Sequence, residues 1–129
     1  VIAFDVLEHV PDYQKALEEI HRVLSSKGLG ILTVPQKDNL LVTYEDPAIV
    51  TPEERTEHFG QWDHLRIFGD DFCRTLESKV FSVTAVDESV FPENMQRKHV
   101  LFPPFLSKRP LATNFRKVFF CQKTFEATA

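Results

Sequence analysis

Asp5-Val6-Leu7-Glu8-His9-Val10-Pro11-Asp12 follows the apolar run Val1-Ile2-Ala3-Phe4 and leads into an amphipathic stretch. The run is continuous rather than alternating, which predicts a strand over residues 1–6 buried on both faces. Pro11-Asp12 predicts a helix start, with the Asp12 side chain accepting from the exposed amides of the first turn. Tyr13, Ala16, Leu17, Ile20, Val23 and Leu24 recur at helical spacing and predict one buried stripe. Glu18 and Glu19 each lie within reach of Arg22 on the outer side. Gly28 predicts the helix stop. Gly30-Ile31-Leu32-Thr33-Val34, closed by Pro35, is the next strand. Strand, helix and strand joined by short links form a parallel crossover unit.

Beyond this unit the pattern loosens. Residues 36–69 form a long connection, interrupted where Thr51-Pro52-Glu53-Glu54 provides a threonine cap, a first-turn proline and a glutamate at the third position. That short helix ends near His58-Phe59-Gly60. A second follows Gly69-Asp70, carries Phe72, Cys73 and Leu76, and ends near Ser78. Residues 80–86 and 116–123 read as further strands. Between them, residues 87–115 carry Pro92, Pro103, Pro104 and Pro110, which exclude a long regular element.

The 129 residues make one domain, residues 1–129, with long inserts at about 36–69 and 87–115. A formal net charge of −4 with scattered Lys and Arg gives no basic face for nucleic acid. No apolar run reaches the ~20 residues of a membrane span, and no secretory signal pattern is present. Cys73 and Cys121 sit in apolar contexts and read as buried thiols of a reducing, cytoplasmic setting.

The ordered set resembles the second half of a class I S-adenosylmethionine-dependent methyltransferase of the type 11 kind. It comprises the Asp5–Asp12 stretch, Ala16-Leu17-Glu18-Glu19-Ile20-His21-Arg22-Val23-Leu24, the strand ending at Pro35, and Asp63-His64-Leu65-Arg66 with Phe68-Gly69-Asp70-Asp71-Phe72. The likeness is dense to about Val86 and weaker afterwards. It implies an α/β fold, a Rossmann-like half domain derived from a three-layer architecture. About four strands are expected, mostly parallel, with the last antiparallel between the second and third. The N-terminal cofactor-binding half is expected to be lacking. The family's glycine-rich turn after its first strand has no counterpart among Gly28, Gly30, Gly60 and Gly69.

The resemblance implies methyl transfer from S-adenosylmethionine to a small acceptor, with Asp5, Val6, Leu7 and His9 beside the cofactor. Val6 and Leu7 read equally well as core, and Glu8 as solvated. His64 and His9 are the candidate proton carriers, His64 oriented by Asp63 or another carboxylate. Trp62, Arg66 and Phe68 are the candidate substrate-binding residues, Arg66 pairing with an acidic substrate or with Asp70 or Asp71. No compact pair of ligands has zinc-site spacing, so no metal is expected. The isolated chain is expected to be inactive and to bind cofactor weakly or not at all. An alternative is a non-catalytic remnant acting as an oligomeric or partner-binding module. An unpaired first strand, and a sheet face short of cover, predict a homo-oligomer or pairing with a complementing N-terminal half. Phe91, Phe102, Phe105 and Phe115 could instead fold over that face.

Overall fold

Apolar residues at two periods, two for strands and 3.6 for helices, set up one sheet with helices packed on it. The computed structural model describes residues 1–79, 81–101 and 105–124. In chain order they form β1 (Ile2–Phe4), α1 (Tyr13–Val23), β2 (Leu29–Thr33), α2 (Pro52–Phe59), α3 (Phe72–Ser78), β3 (Phe81–Val86), α4 (Glu93–His99) and β4 (Val118–Lys123). A short 3₁₀ turn at Glu88–Val90 precedes α4. The fold is α/β, with a four-stranded mixed sheet in the order β1-β2-β4-β3. β1 pairs parallel to β2, and β4 runs antiparallel to both β2 and β3.

Local chemistry explains the helix ends. Asp12 accepts from the Lys15 amide at 2.9 Å and opens α1. At α2, the Thr51 hydroxyl accepts from the Glu54 amide while the Glu54 carboxylate accepts from the Thr51 amide. Gly60 then closes α2 in the left-handed region, at φ 89°. α1 stops earlier than Gly28 suggests: Leu24 turns extended, and residues 25–28 make a separate turn through Gly28 N–H to Ser25 C=O.

Tyr13, Leu17 and Leu24 from α1 and its end join Phe72 and Leu76 from α3 over Leu32, Phe81, Phe119 and Cys121 of the sheet. Burial pushes the Cys121 thiol up to about 12, so it is an inert packing group, and both cysteines are free. Strand alternation directs the intervening residues to the other face, where Ile2, Phe4 and Leu29 are exposed. β1 is therefore not buried on both faces: Ile2 is 68% and Phe4 54% exposed. Among the described residues it is an edge strand, paired with β2 alone.

Three further expectations are corrected. Val23 lies on the exposed side of the last turn of α1. Glu19 alone pairs with Arg22, while Glu18 bridges Lys15 and Lys79. The phenylalanines of the second insert leave the open face uncovered: Phe105 is 89% exposed, Phe91 and Phe115 are also exposed, and Phe102 lies outside the described residues. That insert holds the seven-residue helix α4, which fits between Pro92 and Pro103.

The connection from β2 to α2 is pinned where it crosses Gly69. A Cβ there would come within 2.6 Å of the Val42 carbonyl carbon, so only glycine admits the crossing. Asp71 accepts from the Thr43 amide and hydroxyl, both at 2.8 Å, and Asp70 N–H donates to Leu40 C=O. Asp38 in turn accepts from the Asn114 amide and side chain, tying the second insert to the first. No helix among the described residues is long and apolar enough to cross a membrane.

Candidate functional site

The carboxyl end of a parallel strand is where open α/β sheets place ligands, because the following loop diverges there. Asp5 occupies this point after β1, in the left-handed region at φ 51°. Its carboxylate accepts from the Thr33 hydroxyl at 3.1 Å and from Arg116 Nη1 at 2.8 Å. A conformation that costs a non-glycine residue energy is held here by bonds to β2 and to the chain leading into β4.

After Asp5 the chain makes tight turns, with His9 N–H donating to Val6 C=O, before α1 begins. Arg66 sets the shape of this loop. Its Nη1 donates to the Leu7 and Val10 carbonyls at 2.8 and 2.6 Å, and its Nη2 to Pro11 at 2.9 Å. Its Nε donates to Glu45 at 2.7 Å, and the guanidinium lies over the Tyr13 ring at 4.7 Å. Leu65 N–H adds a bond to Glu8 C=O at 2.9 Å. At 3% exposure, Arg66 is a loop clamp whose charge meets Glu45 rather than Asp70 or Asp71. Phe68 is fully buried against Tyr13 and Phe72, so it packs the core and does not face a ligand. Leu7 is buried too, Val6 is exposed beside Asp5, and Trp62 is exposed.

The clamped loop brings Asp5, Glu8, His9, Pro35, Gln61, His64 and Arg116 around a polar cleft of about 260 Å³. His9 and His64, 55 positions apart in sequence, meet edge to face with ring centroids 4.8 Å apart. His9 Nδ1 stands 3.2 Å from Asp63, and His9 Nε2 stands 3.6 Å from Glu8. His64 Nδ1 meets the Phe59 carbonyl at 3.2 Å, which leaves Nε2 as the lone-pair nitrogen. Asp63 is thus an ion-pair neighbour of His9, while His64 takes its orientation from α2. A wider cleft of about 530 Å³ between α2 and residues 107–114 is lined by Glu57 and Arg109 but by no histidine. Of these two, the smaller cleft has the convergent acid-base groups.

Burial sets the charge states. Glu8 is 1% exposed, and loss of solvation raises its carboxyl above the ordinary glutamate value. Burial also lowers the His64 imidazole, which favours its neutral form. Hydrogen bonding from Gln61 lowers Asp63. Glu8 was read from sequence as solvated, and Arg116 and Gln61 were not among the candidate site residues. Arg116 lies 111 residues from its partner Asp5, and no local pattern carries such a pairing.

Residues 1–32 match a family model described as a methyltransferase domain. No curated protein matches the chain. Among solved structures it is similar to the 1,6-didemethyltoxoflavin-N1-methyltransferase of Burkholderia thailandensis, solved with bound 1,6-didemethyltoxoflavin and S-adenosylhomocysteine. The identity is 21% and the TM-score 0.50, over 96% of this chain and 44% of that one. The chain therefore spans less than half the length of that protein. The matched segment contains β1, the clamped loop, α1 and most of β2, and the fold of the described residues is similar to part of that methyltransferase's.

Proposed function

We propose that this chain is the acceptor-side portion of an S-adenosylmethionine-dependent methyltransferase domain, acting on a small acceptor. The observation that carries the reading is the end of β1, where Asp5 opens onto the cleft of Glu8, His9 and His64. Asp5, Val6 and Leu7 with His9 would border the cofactor, and the cleft would receive the acceptor. When bound, the cofactor supplies an already activated methyl group on a sulfonium. The protein's task is then alignment and exclusion of water. His64, held at Nδ1 by the Phe59 carbonyl, has Nε2 suited to accept a proton from the acceptor, with His9 beside it. Trp62 is open to contact a bulky acceptor.

The residues present fit only one wall of a cofactor pocket. Gly28 and Gly30 lie at the entry to β2, Gly60 caps α2, and Gly69 admits the loop crossing, so none cradles a nucleotide after a strand. The chain alone is therefore expected to bind cofactor weakly and to lack activity. A titration with S-adenosylhomocysteine tests this. Wild type should bind more weakly than micromolar, and Asp5→Ala should bind more weakly still. Micromolar affinity would contradict the one-wall reading, and no interaction at millimolar ligand would remove the cofactor altogether.

A second reading, a non-catalytic module joined to another chain, is favoured by the exposed apolar side chains of β1. The same edge would suit either a second copy or a complementing N-terminal half. Free Cys73 and Cys121 support a reducing, cytoplasmic setting.

A further inference from the structure

Glu8, His9 and His64 offer ligand atoms that all lie within 4.8 Å of one another. Glu8 is 1% exposed, and its Oε2 has no hydrogen-bond partner among the described residues. A buried carboxylate oxygen without a donor is expensive, and native structures normally give it a proton, a water or a cation. Its surroundings favour a cation. Asp5, Glu8 and Asp63 stand about the cleft against the single guanidinium of Arg116.

The histidines are prepared in the same sense. A metal-binding imidazole usually has its other nitrogen held by a carboxylate or carbonyl, which fixes both tautomer and ring direction. Asp63 lies 3.2 Å from His9 Nδ1, and His64 Nδ1 is held by the Phe59 carbonyl at 3.2 Å. The His64 ring therefore keeps its lone pair on Nε2, and His9 Nε2 lies 3.6 Å from Glu8 Oε1.

We propose that Glu8, His9 and His64 form a site for one divalent transition-metal ion, with open coordination positions towards the cleft. Two imidazoles with one carboxylate select zinc, cobalt or similar ions over magnesium and calcium, which prefer all-oxygen shells. Three protein ligands leave room for water or an acceptor oxygen. The role of the site rests on the methyl-transfer reading. An acceptor hydroxyl bound there would lose its proton to solvent more readily, and with the ion bound His64 Nε2 would act as a ligand in place of the base role proposed above.

The full chain, stripped with a chelator, is titrated with Zn²⁺ by calorimetry and with Co²⁺ by visible absorption, with Mg²⁺ as the control. One ion per chain at micromolar or tighter affinity is expected, together with the intense Co²⁺ bands of a four- or five-coordinate site. His64→Ala, Glu8→Gln and His9→Asn should each weaken Zn²⁺ binding at least tenfold, while His99→Ala in α4 should not. His9 is half-exposed, so His9→Asn reports on the site even if Glu8→Gln fails to fold by circular dichroism. No stoichiometric Zn²⁺ binding by wild type, unchanged binding in His9→Asn, or equal affinity for Mg²⁺ would overturn the proposal. S-adenosylhomocysteine binding is read separately. Metal binding without it would remove only the role, and cofactor binding without metal would remove only the site.

Discussion

Arg66 is the residue on which the cleft depends most, although it does not line it. Its donors satisfy carbonyls of Leu7, Val10 and Pro11, and so hold Glu8 and His9 against His64. Removing a buried, fully paired guanidinium leaves those carbonyls and Glu45 without their partner. Arg66→Ala is expected to cost about 3 kcal/mol in urea unfolding. Arg66→Lys should recover only part of this, since an ammonium cannot reproduce the planar fork. A loss below about 0.5 kcal/mol, the range of ordinary surface changes, would contradict the clamp. The sequence marked Arg66 as a candidate ligand but not as a clamp, because its carbonyl partners lie more than fifty residues away. Asp12 was legible because its partner, the Lys15 amide, is three residues away.

Elements defined by short-range chemistry were legible, and those defined by contacts across the chain were not. α2 was readable to its last residue, because a capping box and a left-handed glycine are both local. α4 was missed because prolines at both sides obscured the seven residues between them. The extent of β1 was overestimated, since an apolar run does not reveal whether neighbours cover it. The box at α2 gives a pH test. Hydrogen bonds from the Thr51 amide, then its hydroxyl, then the Val50 amide lower the Glu54 carboxyl below its ordinary 4.5. A lowered folded value means that the contribution is complete above 4.5 and is lost as pH falls through the folded value. Glu54→Gln should therefore flatten part of the loss of stability in that acid window, followed by urea midpoints at successive pH values. An unchanged acid limb would show that the box contributes nothing to it.

At the scale of the molecule, the sheet presents one covered face and one open face, with β1 at the edge. Exposed apolar edges invite pairing, and charge placed on them blocks it. The chain is expected to form a dimer or larger assembly by light scattering at micromolar concentration, and Phe4→Lys should shift it towards monomer. A monomeric wild type would remove self-association and leave the complementing half as the partner for that edge. The order of elements was legible from β1 to β3 because each is bounded by its own caps and glycines. The cleft was only half legible: one side follows directly from Asp5 to His9, whereas His64 and Arg116 arrive from distant segments that the sheet and the Arg66 clamp bring together.

The central claim is that the end of β1 is one wall of a cofactor site, and a residue-by-residue titration addresses it most directly. S-adenosylhomocysteine is added to ¹⁵N-labelled chain up to millimolar concentration, and amide shifts are followed. The expected result is weak, unsaturated binding whose largest shifts fall on Asp5, Val6, Leu7 and His9, and disappear in Asp5→Ala. Shifts centred on the cleft between α2 and residues 107–114, or none near Asp5, would contradict it.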